Sequence, residues 1–254
     1  KPFTLGKYES TRIRAAIAEL AANGGAPMGF YTRFSDPAAR EVITKYYQFM
    51  KQHNDIYHAN RSHAEAVVLF PRTRVFDGDV AAIDEFKQNA DALLDAHVLF
   101  DVRSDEAAHA EAVSQYKHVV RNAEDVKKLL AAERSQFKAP DTVRVSISRP
   151  DGGVRSNRPP EMAVHLVNYN REEPPRARDG KPSPGSGIKD EKPIACGDVE
   201  CNLILPKGTG VREVIALAPE EESSTPVKFE VNEGRVKFTA PGFLVYRVVR
   251  IVLK

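Results

Sequence analysis

Ala66-Val67-Val68-Leu69-Phe70 and Val98-Leu99-Phe100-Asp101-Val102 are the stretches on which the fold turns. The first has no polar alternation, and the second is apolar up to Asp101, as expected for strands buried on both faces of a parallel sheet. Between them, Ile83, Phe86, Ala90, Leu93 and Leu94 fall on one side of a helix running from Val80 to Leu94. Asp105 to Val113 reads as a further helix, His118-Val119-Val120 as a weaker third strand, and Ala123 to Arg134 as a closing helix. Residues 61–139 are therefore expected to form a small three-unit α/β module. Doubly wound domains usually have about five strands or more, so this module is either minimal or completed by packing on something else.

Composition changes sharply beyond it. Residues 1–140 hold 24 of the 30 alanines but 5 of the 17 prolines, which favours helices before this point and strands with turns after it. Val143, Val145 and Ile147 alternate with Arg144, Ser146 and Ser148 in a strand with one apolar face. Met162–Tyr169, Val199–Leu205, Val211–Leu217 and Phe243–Leu253 read as further strands, the last apolar on both faces. Val227, Phe229 and Val231 lead through Asn232-Glu233-Gly234 to Val236 and Phe238, a hairpin. The stretch 171–193, rich in Pro, Gly and charge, reads as a long exposed or disordered loop. Residues 140–254 are thus expected to be an antiparallel β-sandwich of about seven strands.

Upstream, Ser10-Thr11 precedes Ile13, Ile17 and Leu20, and Asn23-Gly24-Gly25 follows, giving an amphipathic helix with a start and a glycine stop. Residues 26–34 suggest a short strand or buried loop. Asp36-Pro37 starts a second helix, to about Tyr57, whose apolar residues Val42, Ile43, Tyr46, Tyr47, Phe49 and Met50 need a neighbour to pack on.

Thirty-seven Lys and Arg against 35 Asp and Glu leave a net +2, so no global field draws the chain to nucleic acid or an anionic membrane. No apolar run nears the roughly 20 residues that span a bilayer. The chain begins with Lys1, not Met, so a cut N-terminus is expected and a missing leader says little. Two cysteines, Cys196 and Cys201, exclude a disulfide scaffold and a four-thiolate zinc site. The chain is too short for a complete (β/α)8 barrel, about 250 residues alone, plus further domains.

Ligands of an open α/β sheet bind beyond the carboxyl ends of its strands. Arg72, Arg74, Asp101 and Arg103 lie in the loops expected there, a candidate polar ligand site against the plain alternative of solvated loop charges. No glycine-rich phosphate loop follows Phe70 and no Gly-x-Ser-x-Gly elbow occurs, so no nucleotide cofactor is expected. His53, His58 and His63 are spaced by five, not four, and read as surface histidines; no metal is expected. Glycosidase chemistry needs paired carboxyl groups. Glu9, just ahead of the first helix, is the weak candidate for a catalytic carboxylate, and Glu19 lies inside that helix. Asn168, Tyr169 and Asn170 form the one cluster suited to carbohydrate binding, in a chain with no Trp.

Residues 65–130, from Ala-Val-Val-Leu-Phe-Pro through Leu-Leu-Asp-Ala-His-Val-Leu-Phe-Asp-Val to Tyr116-Lys-His-Val-Val, resemble the β-galactosidase trimerisation domain, a flavodoxin-like module that follows the catalytic barrel in some β-galactosidases. Residues 1–60 resemble the tail of such a (β/α)8 barrel, and 161–253, with His-Leu-Val-Asn-Tyr-Asn at 165–170, resemble the closing β-sandwich. The resemblance implies α/β plus all-β architecture: a barrel remnant, a three-layer α/β module and a sandwich. It also implies a non-catalytic part of a glycoside hydrolase that supports homo-oligomerisation and braces the barrel, whose catalytic carboxylates would precede residue 1. Carbohydrate would be met through that barrel. An apolar face on the second helix is then expected to be exposed. The alternative is a stand-alone carbohydrate-binding sandwich; an amidotransferase lacks a suitably placed cysteine.

Overall fold

A computed structural model describes residues 10–25, 37–150, 160–172 and 192–254. Glu9, residues 26–34 and most of 171–193 lie outside the described residues, with the expectations attached to them.

The chain opens with helices α1 (Ser10–Ala22), α2 (Pro37–Gln52) and the single turn α3 (Asn54–Tyr57). Gly24, at φ 70, ends α1: the Gly25 N–H donates to the Leu20 carbonyl at 2.7 Å and the Gly24 N–H to that of Ala21 at 3.5 Å. This is the Schellman closure, and it needs a residue free to take positive φ.

Strand β1 (Asn60–Ser62) leads into the α/β unit: β2 (Ala66–Phe70), α4 (Arg72–Phe76), α5 (Ala81–Asp95), β3 (Phe100–Ser104), α6 (Ala110–Val113), β4 (His118–Val120) and α7 (Ala123–Ala131). Its three strands are parallel in the order β3-β2-β4. Ala66, Val68 and Val120 share a core with Leu93 of α5 and Val126 and Leu129 of α7. Asn122 caps α7, its side-chain oxygen accepting from the N–H groups of Glu124 and Asp125. Three expectations need correction. The segment 71–79 contains a helical turn, α4, not a plain loop. The helix read over Asp105–Val113 is broken into a 3-10 turn, Asp105–Ala107, and the single turn α6. The ladder of β3 runs two residues later than its apolar run, because Leu99 spends its carbonyl on the N–H groups of Glu65 and Ala66 instead of pairing in register.

The remaining strands are β5 (Gln136–Lys138), β6 (Val143–Pro150), β7 (Glu161–Asn168), β8 (Val199–Ile204), β9 (Val211–Leu217), β10 (Thr225–Pro226), β11 (Phe229–Asn232), β12 (Arg235–Ala240) and β13 (Tyr246–Leu253). They form two antiparallel sheets, β1-β6-β7-β13-β9-β10 and β11-β12-β8-β5, which close over one core. The β11/β12 hairpin turns at Glu233 (φ 49) and Gly234 (φ 73), the two positive φ values of a type I′ turn. Val231, read with the apolar face of that hairpin, is 44% exposed near its tip.

Strand β13 is apolar on both faces because it is central and covered twice. Val249, Ile251 and Leu253 face the core between the sheets, whereas Tyr246 and Val248 join Ile13 and Ile17 of α1 and Val42, Tyr46 and Phe49 of α2. A 13-residue helix is marginal alone in water, whereas each fully buried large apolar side chain contributes roughly 1.5–3 kcal/mol, so packing on the sheet is what holds α1. The apolar face of α2, expected to be exposed, is therefore covered by α1 and by the chain's own six-stranded sheet.

Buried Glu65 fastens the α/β unit to the paired sheets. Its carboxylate accepts from the Ser135 N–H and hydroxyl, and the Ser135 oxygen accepts from the Ile204 N–H at 3.0 Å. Among the described residues, no helix is long and apolar enough to cross a membrane.

Candidate functional site

A cleft of about 1010 Å³ lies where the end of α1, the β1/β6 ladder and β3 meet. Ile56, Leu99, Val145, Ile147 and Val167 give it an apolar lining, and two carboxylates, Glu19 and Asp101, sit on it. The Schellman turn sets Asn23 one helical turn beyond Glu19, and the Asn23 amide donates to the Glu19 carboxylate at 2.9 Å. The Tyr169 hydroxyl makes a short hydrogen bond to the other oxygen of Glu19. On the opposite wall, the Ser62 hydroxyl donates to Asp101 Oδ1 at 2.7 Å and the Tyr116 hydroxyl to Oδ2 at 2.6 Å. Arg103 Nε donates to the Tyr116 oxygen at 3.3 Å. Burial, and then the hydrogen bond to Asp101, raise the Tyr116 pKa, so its proton stays in place.

The cleft thus brings together Asp101 and Tyr169, which the sequence assigned to separate clusters. Arg103 joins Asp101 through the Tyr116 hydroxyl, and the remaining candidates are placed elsewhere. Arg72 pairs with Glu106 at 3.5 Å and lies over the Phe76 ring; Arg74 binds Asp79 at 2.7 Å and Glu85 at 2.8 Å. Neither arginine meets Asp101, because α4 turns their stretch of chain into a local ion-pair network. Asn168 is buried and fully used: its amide donates to the carbonyls of Ile194 and Leu244, both at 2.8 Å, and its oxygen accepts from the Asn170 N–H. Asn168 and Asn170 therefore close a turn, and Asn168 is not available to a sugar. Glu19 gave no sign in the sequence beyond its place on a helix, since its partner Tyr169 comes from the far half of the chain.

Behind the cleft, Ser148 Oγ lies 2.9 Å from His165 Nε2, His165 Nδ1 lies 2.8 Å from the Tyr246 hydroxyl, and that hydroxyl lies 3.2 Å from the Tyr57 hydroxyl. Whichever imidazole nitrogen carries the proton, a hydroxyl is present to satisfy the other. A Ser–His contact invites comparison with nucleophilic catalysis, which needs an anionic group to steady the imidazolium that forms. The third member here is Tyr246, whose phenol is driven well above its ordinary range by burial and stays neutral. The chain of hydroxyls is therefore a structural connection between helices and sheet.

Burial pushes the His165 pKa from 6.5 down to about 4. Above pH ~6.5 neither folded nor unfolded chain holds this proton. Between ~6.5 and ~4 the unfolded chain takes up a proton that the fold refuses, so stability falls by about 1.4 kcal/mol per pH unit and levels off below ~4. His63, half-buried and not the surface group expected, is also pushed down to about 4 and adds to the same limb. Urea unfolding of His165→Gln from pH 7.5 to 4.5 is expected to show a shallower acid decline than the parent. Identical slopes would contradict the buried neutral imidazole.

Cys196 and Cys201 are buried free thiols, and burial pushes Cys201 up to about 12. Among the described residues, no group of three His, Cys, Asp or Glu side chains is placed to hold a metal ion.

No family model matches the chain, and no curated protein matches it. Among solved structures, it is similar to alpha-L-fucosidase isoenzyme 2 from Paenibacillus thiaminolyticus, with a TM-score of 0.67 at 12% identity. The match covers 99% of this chain and 60% of that one, so the chain spans less than two thirds of the fucosidase's length. A rhamnosidase from Novosphingobium sp. PP1Y matches at 11% identity with a TM-score of 0.48, over 96% of this chain and 30% of that one. The chain shares the fold of part of that fucosidase.

Proposed function

We propose that the chain is a non-catalytic portion of a β-galactosidase-like glycoside hydrolase. In this reading α1 to α3 are the tail of the barrel, the parallel unit is a flavodoxin-like module of the trimerisation type, and the paired sheets are the closing β-sandwich. The observation that carries it is the fold likeness over nearly the whole chain to part of a fucosidase. The bracing role is supported by the core that α1 and α2 share with the six-stranded sheet. Self-association is supported by the outer edge of β3, which no strand among the described residues pairs, and where Val102, on the rim of the cleft, is 52% exposed. Strand edges with exposed apolar side chains are ready sites for pairing.

The carboxylates of the cleft fit this role. Glu19 and Asp101 each accept two hydrogen bonds from neighbouring side chains, which positions them as anchors of the walls. Purified protein assayed on nitrophenyl β-galactoside and α-L-fucoside is expected to show no turnover above background. Turnover that Glu19→Gln or Asp101→Asn abolishes would overturn the non-catalytic reading.

A further inference from the structure

The β1/β6 ladder sets Arg61 directly opposite Arg149. Directly opposed residues on antiparallel strands project from one face with Cβ atoms about 5 Å apart, and like charges there repel. His63 follows two residues after Arg61 on the same face, its N–H donated to the Ile147 carbonyl at 2.8 Å. Lys117 arrives from the α/β unit, held by its N–H on the Glu65 carbonyl at 2.9 Å.

These groups share one field. The His63 imidazole is pushed down first by burial and then by the positive charges of Arg149, Lys117 and Arg61, with Glu65 opposing. Arg149 is lowered by burial and by Arg61. The Glu65 carboxylate is committed to Ser135, as described above. Among the described residues, no carboxylate forms an ion pair with Arg61, Lys117 or Arg149, and Arg149 Nε is sealed from solvent without a hydrogen-bond partner. Two opposed cations, a third beside them and an unsatisfied buried donor are each unfavourable alone, and a bound anion relieves all of them together.

We propose that Arg61, Arg149, Lys117 and His63 form an oxyanion-binding site that takes the sulfate, phosphate or carboxylate group of a ligand. Arg61 also lines the cleft, so the site opens toward it. The guanidinium pair suits a planar carboxylate or two edges of a tetrahedral anion, each by two parallel N–H donors. This assignment does not depend on the non-catalytic reading above.

Calorimetric titration tests it with sodium sulfate, sodium phosphate and sodium glucuronate, against sodium chloride at matched ionic strength and neutral galactose. At least one of the three oxyanions is expected to bind saturably, with galactose and chloride silent. Arg149→Gln and Arg61→Gln are each expected to weaken that binding about tenfold or more. Both variants should keep the parent's thermal midpoint in chloride or exceed it, because each removes a like-charge repulsion; Arg61, being exposed, is the safer of the two for folding. Binding of glucuronate alone identifies a sugar carboxylate as the ligand group, and binding of sulfate or phosphate alone identifies a tetrahedral ester; either supports the site. No saturable binding of any of the three anions, or binding unchanged in both variants, overturns it.

Discussion

Glu221→Gln is expected to cost about 2–3 kcal/mol and to lower the thermal midpoint by about 5–10 °C. Arg247 lies on the central strand β13 and is 1% exposed. Its two terminal nitrogens each donate to a Glu221 oxygen at 2.6 Å, and one also donates to the Gly242 carbonyl at 2.7 Å. Removing the carboxylate charge strands a guanidinium away from water, a change that costs about 3–5 kcal/mol for a fully buried pair. Glu221 is itself 38% exposed, which lets solvent screen part of the loss and sets the lower figure. Replacing both partners, as Arg247→Met with Glu221→Met, should return most of the stability, since no unpaired charge then remains. Urea unfolding measures both, and a Glu221→Gln variant within about 0.5 kcal/mol of the parent would contradict this account of the pair.

Tyr246→Ala is expected to be costlier, about 3–5 kcal/mol, because it empties the centre of the core between helices and sheet. The Tyr246 ring is 1% exposed, meets Phe49 of α2 edge-on at 6.3 Å and stacks on His165 at 6.2 Å. Tyr246→Phe keeps the ring and removes only the hydroxyl that joins His165 to Tyr57, so about 1–2 kcal/mol is expected. The order Ala well below Phe, and Phe below the parent, separates packing from hydrogen bonding. Equal losses in the two variants would mean that the ring fills no essential space.

The elements that were legible in the sequence are those whose reason is local. The apolar run Ala66–Phe70 coincides with β2, since a central strand of a parallel sheet needs apolar groups on both faces. The glycine stop of α1 and the Asn-Glu-Gly turn declare themselves for the same reason: only a few residues tolerate positive φ. The short α4 escaped because one helical turn has no periodicity to detect. The destination of the apolar face of α2 escaped too, since nothing in that helix names the strand β13 nearly two hundred residues away.

The candidate site was less legible, because it is built from register and not from motifs. Asp101 and Tyr169 were singled out for different chemistry and share one cleft only because α1 packs on β7 while Ser62 of β1 binds Asp101 of β3. The opposition of Arg61 and Arg149 follows from the alignment of two short ladders. A slip of one residue would put their side chains on different faces.

Through the core they share with β7, β9 and β13, α1 and α2 form a helical layer of the six-stranded sheet and not a loose extension of it. Hydrogen exchange of the intact chain tests this most directly. The amides of α1 and α2 are expected to be protected alongside those of β13, and Tyr246→Ala to speed exchange in the helices before it does so in β12 on the far sheet. Exchange of α1 and α2 at the rate of free peptides, with β13 still fully protected, would contradict it.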